Sequence, residues 1–417
     1  MASTRAAVRR LHPVDARMLW AAPRAHSDQF LLFAFAATGV DAAAVERQVL
    51  AAARGIERFG VVAREVPGHL DYPSWAPRPP TSEQVLTHTV DAGTWAGMLR
   101  HLGGLIADQL DAHEAAWRVH LFPGIADPRD GSPLRVAVLQ ISHALADGRG
   151  SSALARRLFA ADPPAHAATR EPAPRASVAA ARGVARLPVQ VAGMVGGGLR
   201  AYRLSRAEAA VPGPVPPCRA NRPPGVRREL RTVTVDKSAV GPPVTPWAIG
   251  AIGRAMSAAG LVDAAPVVEL TVARDPEPGL ANNFFMAGIV AGDADAVHTQ
   301  VAAARRRDAD AARVAARRAE ACTPAALMHW ATTGFPATDP PGAVTGHTVV
   351  SSVNRGAADL VLAGGAVRLT AGFPALSTAH SLTHGVHGIG DAITLSVLAD
   401  PDIIDVDGYV AALTAAL

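Results

Sequence analysis

A short segment, Ser142 to Gly148, carries the residues most able to do chemistry, and it reads Ser-His-Ala-Leu-Ala-Asp-Gly. Because the ordinary pKa of histidine is about 6.5, His143 could take a proton from a hydroxyl or an amine at neutral pH. Asp147 lies across a tight turn, where we expect it to hold the loop by pairing with an arginine. Gly148 would permit a backbone conformation that other residues avoid. From the pattern alone, a loop histidine beside a helix-capping aspartate is an equally good interpretation.

The flanking patterns place this segment between a strand and a helix. The mostly apolar run Leu134 to Ile141 is typical of a buried strand. After the segment, Ser151 or Ser152 could cap a helix whose leucines recur on one face. Loops at strand ends are where a rigid scaffold presents reactive groups, so this position favours a functional histidine.

Composition divides the chain of 417 residues into three zones. Residues 1–160 contain the His143 segment, and residues 225–417 are also long enough for one domain. Between them, residues 161–224 are rich in Pro, Ala, Gly and Arg and are typical of a linker, in which a helix could occupy Val178 to Arg206. Because strands and helices mix in both flanking zones, we expect an α/β (α+β) fold with mixed sheets.

The second flanking zone has its own helix and strand signals. Thr245 as N-cap, Pro246 at the first helical position and Gly260 as the stop predict one helix. Residues 294–321 predict a long helix rich in Arg and Ala, and residues 406–417 predict a last one. Strand patterns occupy residues 231–236, 267–274, 282–290, 347–354, 364–369 and 391–400.

Composition and charge exclude several classes of protein. With 49% hydrophobic and 18% charged residues, the chain can bury a large core and is not a disordered protein. The net charge is only +4, which argues against nucleic acid as a partner. No apolar run reaches the ~18–20 residues that cross a bilayer, and none follows the arginines near the amino terminus, so we expect a cytoplasmic protein without a secretory signal. Cys218 and Cys322 lie far apart in the sequence, which suits a reducing compartment.

Three further clusters have alternative interpretations. On a helix, His380, His384 and His387 would gather as metal ligands, but glycines intervene and the next segment reads as a strand, so we favour a loop or strand without metal. The arginines at 305–307, 313, 317 and 318 could meet a coenzyme A phosphate or an anionic membrane, although interleaved acids favour a solvated helix face. The stretch from Leu187 to Arg200 could lie on a membrane surface, although its glycines favour a plain connection.

The His143 segment resembles the HHxxxDG signature of the CoA-dependent acyltransferase superfamily, which includes chloramphenicol acetyltransferase, plant BAHD enzymes and peptide-synthetase condensation domains. Within it, the chain is most similar to the bacterial wax ester synthase/diacylglycerol acyltransferase family. Further segments that carry the likeness are Leu11 to Asp15, Trp117 to Gly124, Asn221 to Arg228, Arg274 with Asn282 and Asn283, and Ser351 to Gly365. Each alone is weak, but in this order and spacing they are specific and cover most of the chain.

Three positions depart from the family pattern. Ser142 stands where the family has the first histidine of the doublet, whereas the second, which is taken as the base, is present as His143. Asn282 replaces a glycine before Asn283. The tripeptide from Asn354 to Gly356 replaces the Pro-Gly that follows the Ser-Asn-Val element. The last two departures lie where the second domain should meet the active site, so they bear on the substrate class.

The resemblance implies two domains of chloramphenicol-acetyltransferase-like topology that meet at an active-site tunnel, with His143 midway. His143 would be the general base. Asp147 and Gly148 would be structural residues of the site, with Asp147 paired to Arg274 across the domain interface. Candidates for the tunnel wall or for oxyanion donors are Ser142, Asn283 and Ser352.

The same resemblance implies that an acyl group moves from acyl-CoA to an alcohol, as in wax ester or triacylglycerol synthesis. Acyl-CoA would be a co-substrate, with no bound cofactor and no metal, and an amine acceptor is the less favoured variant. Two alternatives stay open: a natural-product acyltransferase or condensation enzyme that uses carrier-protein thioesters, and a catalytically silent binding homologue, of which Ser142 would be the trace. Peripheral contact with a membrane or a lipid droplet also stays open.

Overall fold

The computed structural model describes residues 10–163, 174–206, 213–334 and 342–417. Part of the predicted linker, at 164–173 and 207–212, lies outside the described residues, as does the amino terminus up to residue 9. The α-helices of the described residues are α1 Pro13–Ala25, α2 Ala42–Arg54, α3 Trp95–Leu105, α4 Gly148–Leu158, α5 Ala176–Ser205, α6 Val244–Ala258, α7 Ala294–Asp308, α8 Ala311–Ala321, α9 Ala325–Thr333 and α10 Val406–Ala416. The strands are β1 Gln29–Ala36, β2 Val61–Arg64, β3 Ser74–Pro77, β4 Val85–Thr87, β5 Trp117–Ala126, β6 Pro133–Ile141, β7 Glu229–Asp236, β8 Val267–Ala273, β9 Phe284–Val290, β10 Thr348–Asn354, β11 Val361–Leu362, β12 Gly365–Gly372, β13 Leu382–Ile389 and β14 Ala392–Ala399.

The first sheet has six strands in the order β11-β12-β1-β6-β5-β4. β1 pairs antiparallel with both β6 and β12, whereas β4 pairs parallel with β5, so the sheet is mixed. Alternate side chains of β1 enter two different cores, Leu31 and Phe33 on one face and Phe30 on the other. Burial on both faces explains why β1 and β6 are apolar almost throughout. The strand predicted over residues 134–141 is β6.

The second sheet also has six strands, in the order β7-β14-β13-β10-β8-β9. β10 runs parallel to β8 and β13, while the other neighbours are antiparallel. Its core includes Ile249 and Ile252 of α6 and Leu413 of α10. β7, β8, β9, β10 and β14 coincide with predicted strands to within a few residues. The two mixed sheets confirm the predicted α/β (α+β) fold class.

Two strands from the carboxyl-terminal zone, β11 and β12, belong to the first sheet. β12 pairs with β1 and also packs against β13 and β14 of the second sheet. Glycine makes this close approach possible, because a Cβ at Gly365 would clash with the carbonyl of Ala36, 1.9 Å away. The two halves of the chain are therefore interlocked by strand pairing, and the domain boundaries at residues 160 and 224 stay a prediction.

The predicted linker contains the long helix α5, close to the expected range. Glycines let this helix approach its neighbours, because a side chain at Gly183 would clash with the backbone of Leu70 and one at Gly197 with Ala319 of α8. Most of the remaining helix surface faces solvent, since Ala179 and Gly183 alone are buried among its described residues.

The single long helix predicted over residues 294–321 is wrong, because the chain forms α7 and α8 there. The break falls at Ala309 and Asp310, with Asp310 at the N-cap position of α8. Arg317 from α8 donates to the backbone carbonyl of Asp308, 2.9 Å away, and to its carboxylate, 3.1 Å away. The break thus lets the Arg317 side chain fold back and donate to a carbonyl group in the last turn of α7.

The predicted N-cap of α6 is also wrong. The helix begins at Val244 with Pro243 at the cap position, so Thr245 lies inside its first turn. The hydroxyl of Thr245 is instead 2.7 Å from that of Ser352 on β10. The stop is where the sequence placed it, since Gly260 follows the helix with a φ of 62°.

Candidate active site

A cavity of about 690 Å³ lies between the two sheets. The first half contributes β1 and the loop after β6, and the second half contributes β8, β9 and β10. Of the site residues expected from the sequence, His143, Asp147, Gly148 and Ser352 line this cavity. It therefore brings together side chains from both halves of the chain.

His143 lies in a turn directly after β6. The backbone N–H of Leu145 donates to the carbonyl of Ser142 at 2.9 Å, and the N–H of Ser142 donates to that of Ala116 at 2.9 Å. Because the residues on both sides of His143 are buried, the turn presents its side chain to the cavity. The ring of Phe284, across the cavity on β9, has its centroid 5.7 Å from that of the imidazole.

The imidazole is held by an amide from the second half. Nδ1 of His143 lies 2.6 Å from Oδ1 of Asn282. The Asn282 amide nitrogen donates to Asp15 at 2.9 Å and to the backbone carbonyl of His143 at 2.8 Å, so the amide oxygen faces the imidazole. Since an amide oxygen only accepts hydrogen bonds, Nδ1 carries the proton and Nε2 keeps its lone pair. This tautomer is the one that a general base at Nε2 requires.

Asp15 in turn fixes Asn282. Its carboxylate accepts hydrogen bonds from the backbone N–H groups of Ala281, at 3.0 Å, and of Asn282, at 2.9 Å. Burial raises the pKa of Asp15, and these hydrogen bonds oppose the rise. Sequence reasoning did not assign either residue to the site. Two features of the sequence could have pointed to them: Asn282 replaces a glycine of the family pattern, and Asp15 belongs to the family's opening motif.

The environment keeps His143 neutral. Burial lowers its pKa below the ordinary value of 6.5, and the hydrogen bond to Asn282 opposes this shift, as do the charges of Asp147 and Asp15. Because the shift is downward, the imidazole is uncharged at pH 7 and can accept a proton.

Asp147 caps α4 and joins the two halves through backbone groups. Its Oδ1 accepts from the N–H of Gly150 at 2.9 Å, and its Oδ2 accepts from the N–H of Asn283 at 3.1 Å. Its own N–H donates to the carbonyl of Ala281 at 3.0 Å. Asp147 is therefore a helix cap and not the partner of an arginine, and it still holds the loop that carries His143 in place.

Gly148 does not have the special backbone conformation that we predicted. It is the first residue of α4 and does not adopt a positive φ. A Cβ at this position would lie 3.6 Å from Val353 and 3.9 Å from Gln29, which are ordinary contacts. Glycine at this position widens the cavity instead. Ser151 and Ser152, the predicted caps, are buried inside the helix.

The predicted pair of Asp147 with Arg274 is wrong. The Arg274 guanidinium binds the carboxylate of Asp308 through Nε at 2.7 Å and Nη2 at 2.8 Å. Its Nη1 donates to the carbonyl of Phe284, and its Cζ lies 5.3 Å from the ring centroid of Phe285. Arg274 therefore fastens the end of β8 to the end of α7, whereas Asp147 contacts the second half through the backbone N–H of Asn283.

The three candidates for the tunnel wall or for oxyanion donors differ in whether they reach the cavity. Among the described residues, Ser352 lines the cavity but Ser142 and Asn283 do not. Ser142 is buried and its hydroxyl faces the backbone of its own turn. The Asn283 amide donates to the carbonyl of Asp275. When Thr245 donates to Ser352, the hydroxyl proton of Ser352 is free for another acceptor.

Two further side chains line the same cavity, Arg355 just after β10 and His387 in β13. His384 and His387 point to opposite faces of the strand, and His384 is 2.7 Å from the hydroxyl of Tyr409 on the far side. The three histidines therefore do not converge. In the described part of the chain, no group of three or more His, Cys, Asp or Glu side chains could hold a metal ion.

Solved acyltransferases share this architecture. Wax ester synthase/diacylglycerol acyltransferase from Marinobacter aquaeolei VT8 superposes with a TM-score of 0.61 at 14% identity, covering 98% of this chain and 97% of that one. A variant of the starter condensation domain of rhizomide synthetase RzmA, in complex with C8-CoA, gives 0.55 at 12% identity, with 98% and 93% covered. Trichothecene 15-O-acetyltransferase from Fusarium sporotrichioides gives 0.56 at 11% identity, with 98% and 94% covered. The fold is that of the two-domain, chloramphenicol-acetyltransferase-like acyltransferases.

The sequence narrows this class to one family. Residues 11–238, more than half of the chain, match the model of the wax ester synthase/diacylglycerol acyltransferase catalytic domain. The chain belongs to this family, which confirms the resemblance seen in its motifs. Among curated proteins, no sequence matches this chain. Membership supports acyl transfer as its chemistry.

Proposed function

We propose that this protein transfers an acyl group from acyl-CoA to an alcohol, with His143 as the general base. The observation that carries the proposal is the neutral imidazole on the cavity wall, whose Nδ1 is held by Asn282 while Nε2 has no hydrogen bond to any described residue. A hydroxyl in the cavity can give its proton to Nε2 while its oxygen attacks the thioester carbonyl.

The steps balance without any further reactant. The alcohol proton moves to Nε2 of His143 as a new carbon–oxygen bond forms and the carbonyl becomes a tetrahedral oxyanion. The carbon–sulfur bond then breaks, and the imidazolium returns the proton to the leaving thiolate, which yields an ester and free CoA. No acyl-enzyme is needed because a thioester is already activated. General base catalysis contributes about 10²–10⁴-fold, and positioning and oxyanion stabilisation supply the rest.

Other cavity residues have complementary roles in this proposal. Ser352, oriented by Thr245, is our candidate oxyanion donor. Arg149 and Arg305 line the cavity but are exposed, as phosphate-binding groups at its mouth would be. Their guanidinium groups donate to the backbone carbonyls of Arg274, at 3.1 Å, and Ala273, at 3.3 Å, which places both near the end of β8. We assign them to the phosphates of coenzyme A.

Thiol release from acyl-CoA, combined with product mass spectrometry, tests the proposal over a panel of acyl chain lengths, alcohols and amines. Ester formation with an alcohol supports it, whereas amide formation alone points to an amine acceptor. Activity with acyl-carrier protein but not with acyl-CoA indicates a natural-product acyltransferase or condensation enzyme. Absence of thiol release across the whole panel contradicts the proposal and favours a catalytically silent binding protein.

We also propose that α5 rests on an anionic membrane surface. The exposed side of this helix carries apolar residues at spacings of three or four, namely Val184, Leu187, Val191, Val195, Leu199 and Tyr202. The opposite side, with Gly183 and Gly197, packs on the protein. The helix contains four arginines and no acidic residue. Arg186 lies 3.5 Å from Asp71, and the exposed Arg182, Arg200 and Arg203 complement anionic headgroups. None of the described helices combines the length and apolar character needed to cross a membrane.

Pelleting with phosphatidylcholine vesicles, with and without one third phosphatidylglycerol, tests the α5 contact. The wild-type protein should pellet with the anionic vesicles, and the triple variant Val184→Ser, Val191→Ser, Val195→Ser should lose most of this binding. Val226→Ser is the matched control, because Val226 is 91% exposed but lies outside α5. Equal pelleting of the triple variant and the wild type, or no pelleting of either, contradicts the contact.

A further inference from the structure

A buried arginine on the cavity wall has no acidic partner among the described residues. Arg355 is 3% exposed. Among the described residues, the hydrogen bonds of its side chain come from Nη1 alone, to the carbonyl of Leu32 at 3.3 Å and to the hydroxyl of Thr370. Its Cζ lies 4.9 Å from the ring centroid of Phe33. A buried cation that meets only neutral groups is unfavourable for the fold, so packing alone does not account for this side chain.

The unoccupied edge of this guanidinium has a specific shape. Nε of Arg355 is buried without a hydrogen-bond partner, and Nη2 donates to none of the described residues. Nε and Nη2 together form the edge that gives two parallel hydrogen bonds to the two oxygens of one carboxylate. Since Nη1 is already used, this is the edge that remains for a ligand.

His387 stands beside the same edge. Its Nδ1 is also buried without a partner in the described part of the chain. A Cβ built on Gly372 would lie 2.8 Å from Nη2 of Arg355 and 2.9 Å from Nε2 of His387, so both side chains converge over this glycine. Burial and the charge of Arg355 lower the pKa of His387 well below its ordinary value. The imidazole is therefore neutral and can donate one hydrogen bond to an anion.

We propose that Arg355 and His387 form a carboxylate-binding site inside the cavity, so that one substrate of the transfer carries a carboxylate. That substrate is either a hydroxy acid that accepts the acyl group or an acyl-CoA whose chain ends in a carboxylate. The inference rests on the proposed acyltransferase function for the reaction, while the site itself stands on the geometry of the two side chains. Arg355 belongs to the tripeptide that replaces the family's Pro-Gly, so the site distinguishes this chain from the family pattern.

Binding in the absence of any acyl donor tests the site independently of turnover. Calorimetry compares ω-hydroxydodecanoate with its methyl ester, which keeps the chain and the hydroxyl but removes the charge. The wild type should bind the acid roughly tenfold to a hundredfold more tightly, as two charge-assisted hydrogen bonds provide. In Arg355→Gln, which keeps a polar side chain but removes the charge and the guanidinium edge, the ratio of the two affinities should fall close to one.

Two further variants keep this test decisive. Arg355→Lys retains the charge but loses the edge that gives two parallel hydrogen bonds, so its acid-to-ester affinity ratio should be intermediate. This variant replaces Arg355→Gln in the test if Arg355→Gln fails to fold. Arg157→Gln removes an exposed arginine of α4 that does not line the cavity, and it should leave the acid-to-ester ratio at the wild-type value. Equal binding of acid and ester by the wild type, or an unchanged ratio in both Arg355 variants, overturns the site even if the protein proves to be an acyltransferase.

Turnover assays then separate the two sources of the carboxylate. One arm compares ω-hydroxydodecanoate with its methyl ester as acceptors of an octanoyl group. The other arm compares glutaryl-CoA with pentanoyl-CoA as donors to decanol. A lower KM for the charged substrate in either arm, lost in Arg355→Gln, supports the site and identifies its ligand. The same KM for charged and neutral substrates in both arms overturns it.

Discussion

The chemistry at His143 depends on which imidazole nitrogen holds the proton. Asn282 accepts from Nδ1 and is itself oriented by Asp15, so Nε2 keeps the lone pair that our proposed mechanism requires. Ser142 stands where the family has another histidine, yet it is buried away from the cavity wall. The replacement therefore leaves His143, our proposed proton acceptor, and its contact with Asn282 in place.

Sequence reasoning could identify His143 but not the residues that hold it. The motif spacing and the strand before it single out His143, whereas Asn282 is 139 residues distant and reaches the imidazole only through the fold. The same limitation explains the wrong partner for Asp147. Its cap contact with the N–H of Gly150 is local, but its contact with the N–H of Asn283, 136 residues distant, is one that no residue type in the sequence reveals.

Replacing Asn282 by alanine should lower kcat by about tenfold to a hundredfold, because the imidazole loses the contact that fixes its tautomer and orientation. The KM for acyl-CoA should change little, since Asn282 does not line the cavity. In the wild type, kcat/KM should fall as the pH falls through the pKa of His143, which burial places below 6.5. Because the Asn282 hydrogen bond raises that pKa, the variant should lose activity at a lower pH still.

Asn283→Ala is the matched control for this pH–rate measurement. The Asn283 side chain donates to the carbonyl of Asp275 and does not line the cavity. Removing the Asn283 side chain should leave kcat near its wild-type value. It should also leave unchanged the pH at which kcat/KM falls on the acidic side of the profile. If Asn282→Ala and Asn283→Ala lose activity equally, and kcat/KM falls at the same pH in both as in the wild type, Asn282 does not position His143.

At the scale of elements, apolar runs located the strands, but tertiary contacts decided where helices begin and end. β6 and β10 follow from their sequences because burial on the sheet selects β-branched and apolar residues. α7 and α8 separate where Arg317 binds the carbonyl of Asp308, and Thr245 lies inside α6 because its hydroxyl meets Ser352. The Thr245–Ser352 contact spans 107 residues and the Arg317–Asp308 contact spans nine, so neither follows from the three- and four-residue spacings of a helix.

Asp147→Asn tests the element-level role of the cap. The amide can still accept from the N–H of Gly150, but its NH₂ group would face the N–H of Asn283, leaving two donors opposed. We expect a loss of about 1–2 kcal/mol in the free energy of unfolding, measured by denaturant titration, with a smaller change in KM.

Asp41→Asn is the control for the cap. Asp41 caps α2 through the N–H of Ala44 and lies on the surface, so its substitution should alter the free energy of unfolding much less. A folded Asp147→Asn protein with unchanged stability would count against the link between α4 and the loop before β9.

For the whole molecule, the decisive feature is that the halves share a sheet. β12 comes from the carboxyl-terminal zone and pairs with β1, and the cavity forms where the two sheets face each other. The motif resemblance was enough to predict two α/β halves around a common site. Composition could not show that β12 leaves its own half, because a strand pattern does not specify its partner. Arg355 and His387 were also visible in the sequence, but only the fold places them on one cavity wall.

The central claim is that this cavity performs acyl transfer with His143 as the base. The most direct test is kcat/KM for thiol release from octanoyl-CoA in the presence of decanol, compared for the wild type, His143→Ala and Ser142→Ala. We predict that His143→Ala lowers kcat/KM by about 10²–10⁴-fold, whereas Ser142→Ala, which alters a buried hydroxyl outside the cavity, stays close to the wild type. A folded His143→Ala protein with wild-type kcat/KM would contradict the account.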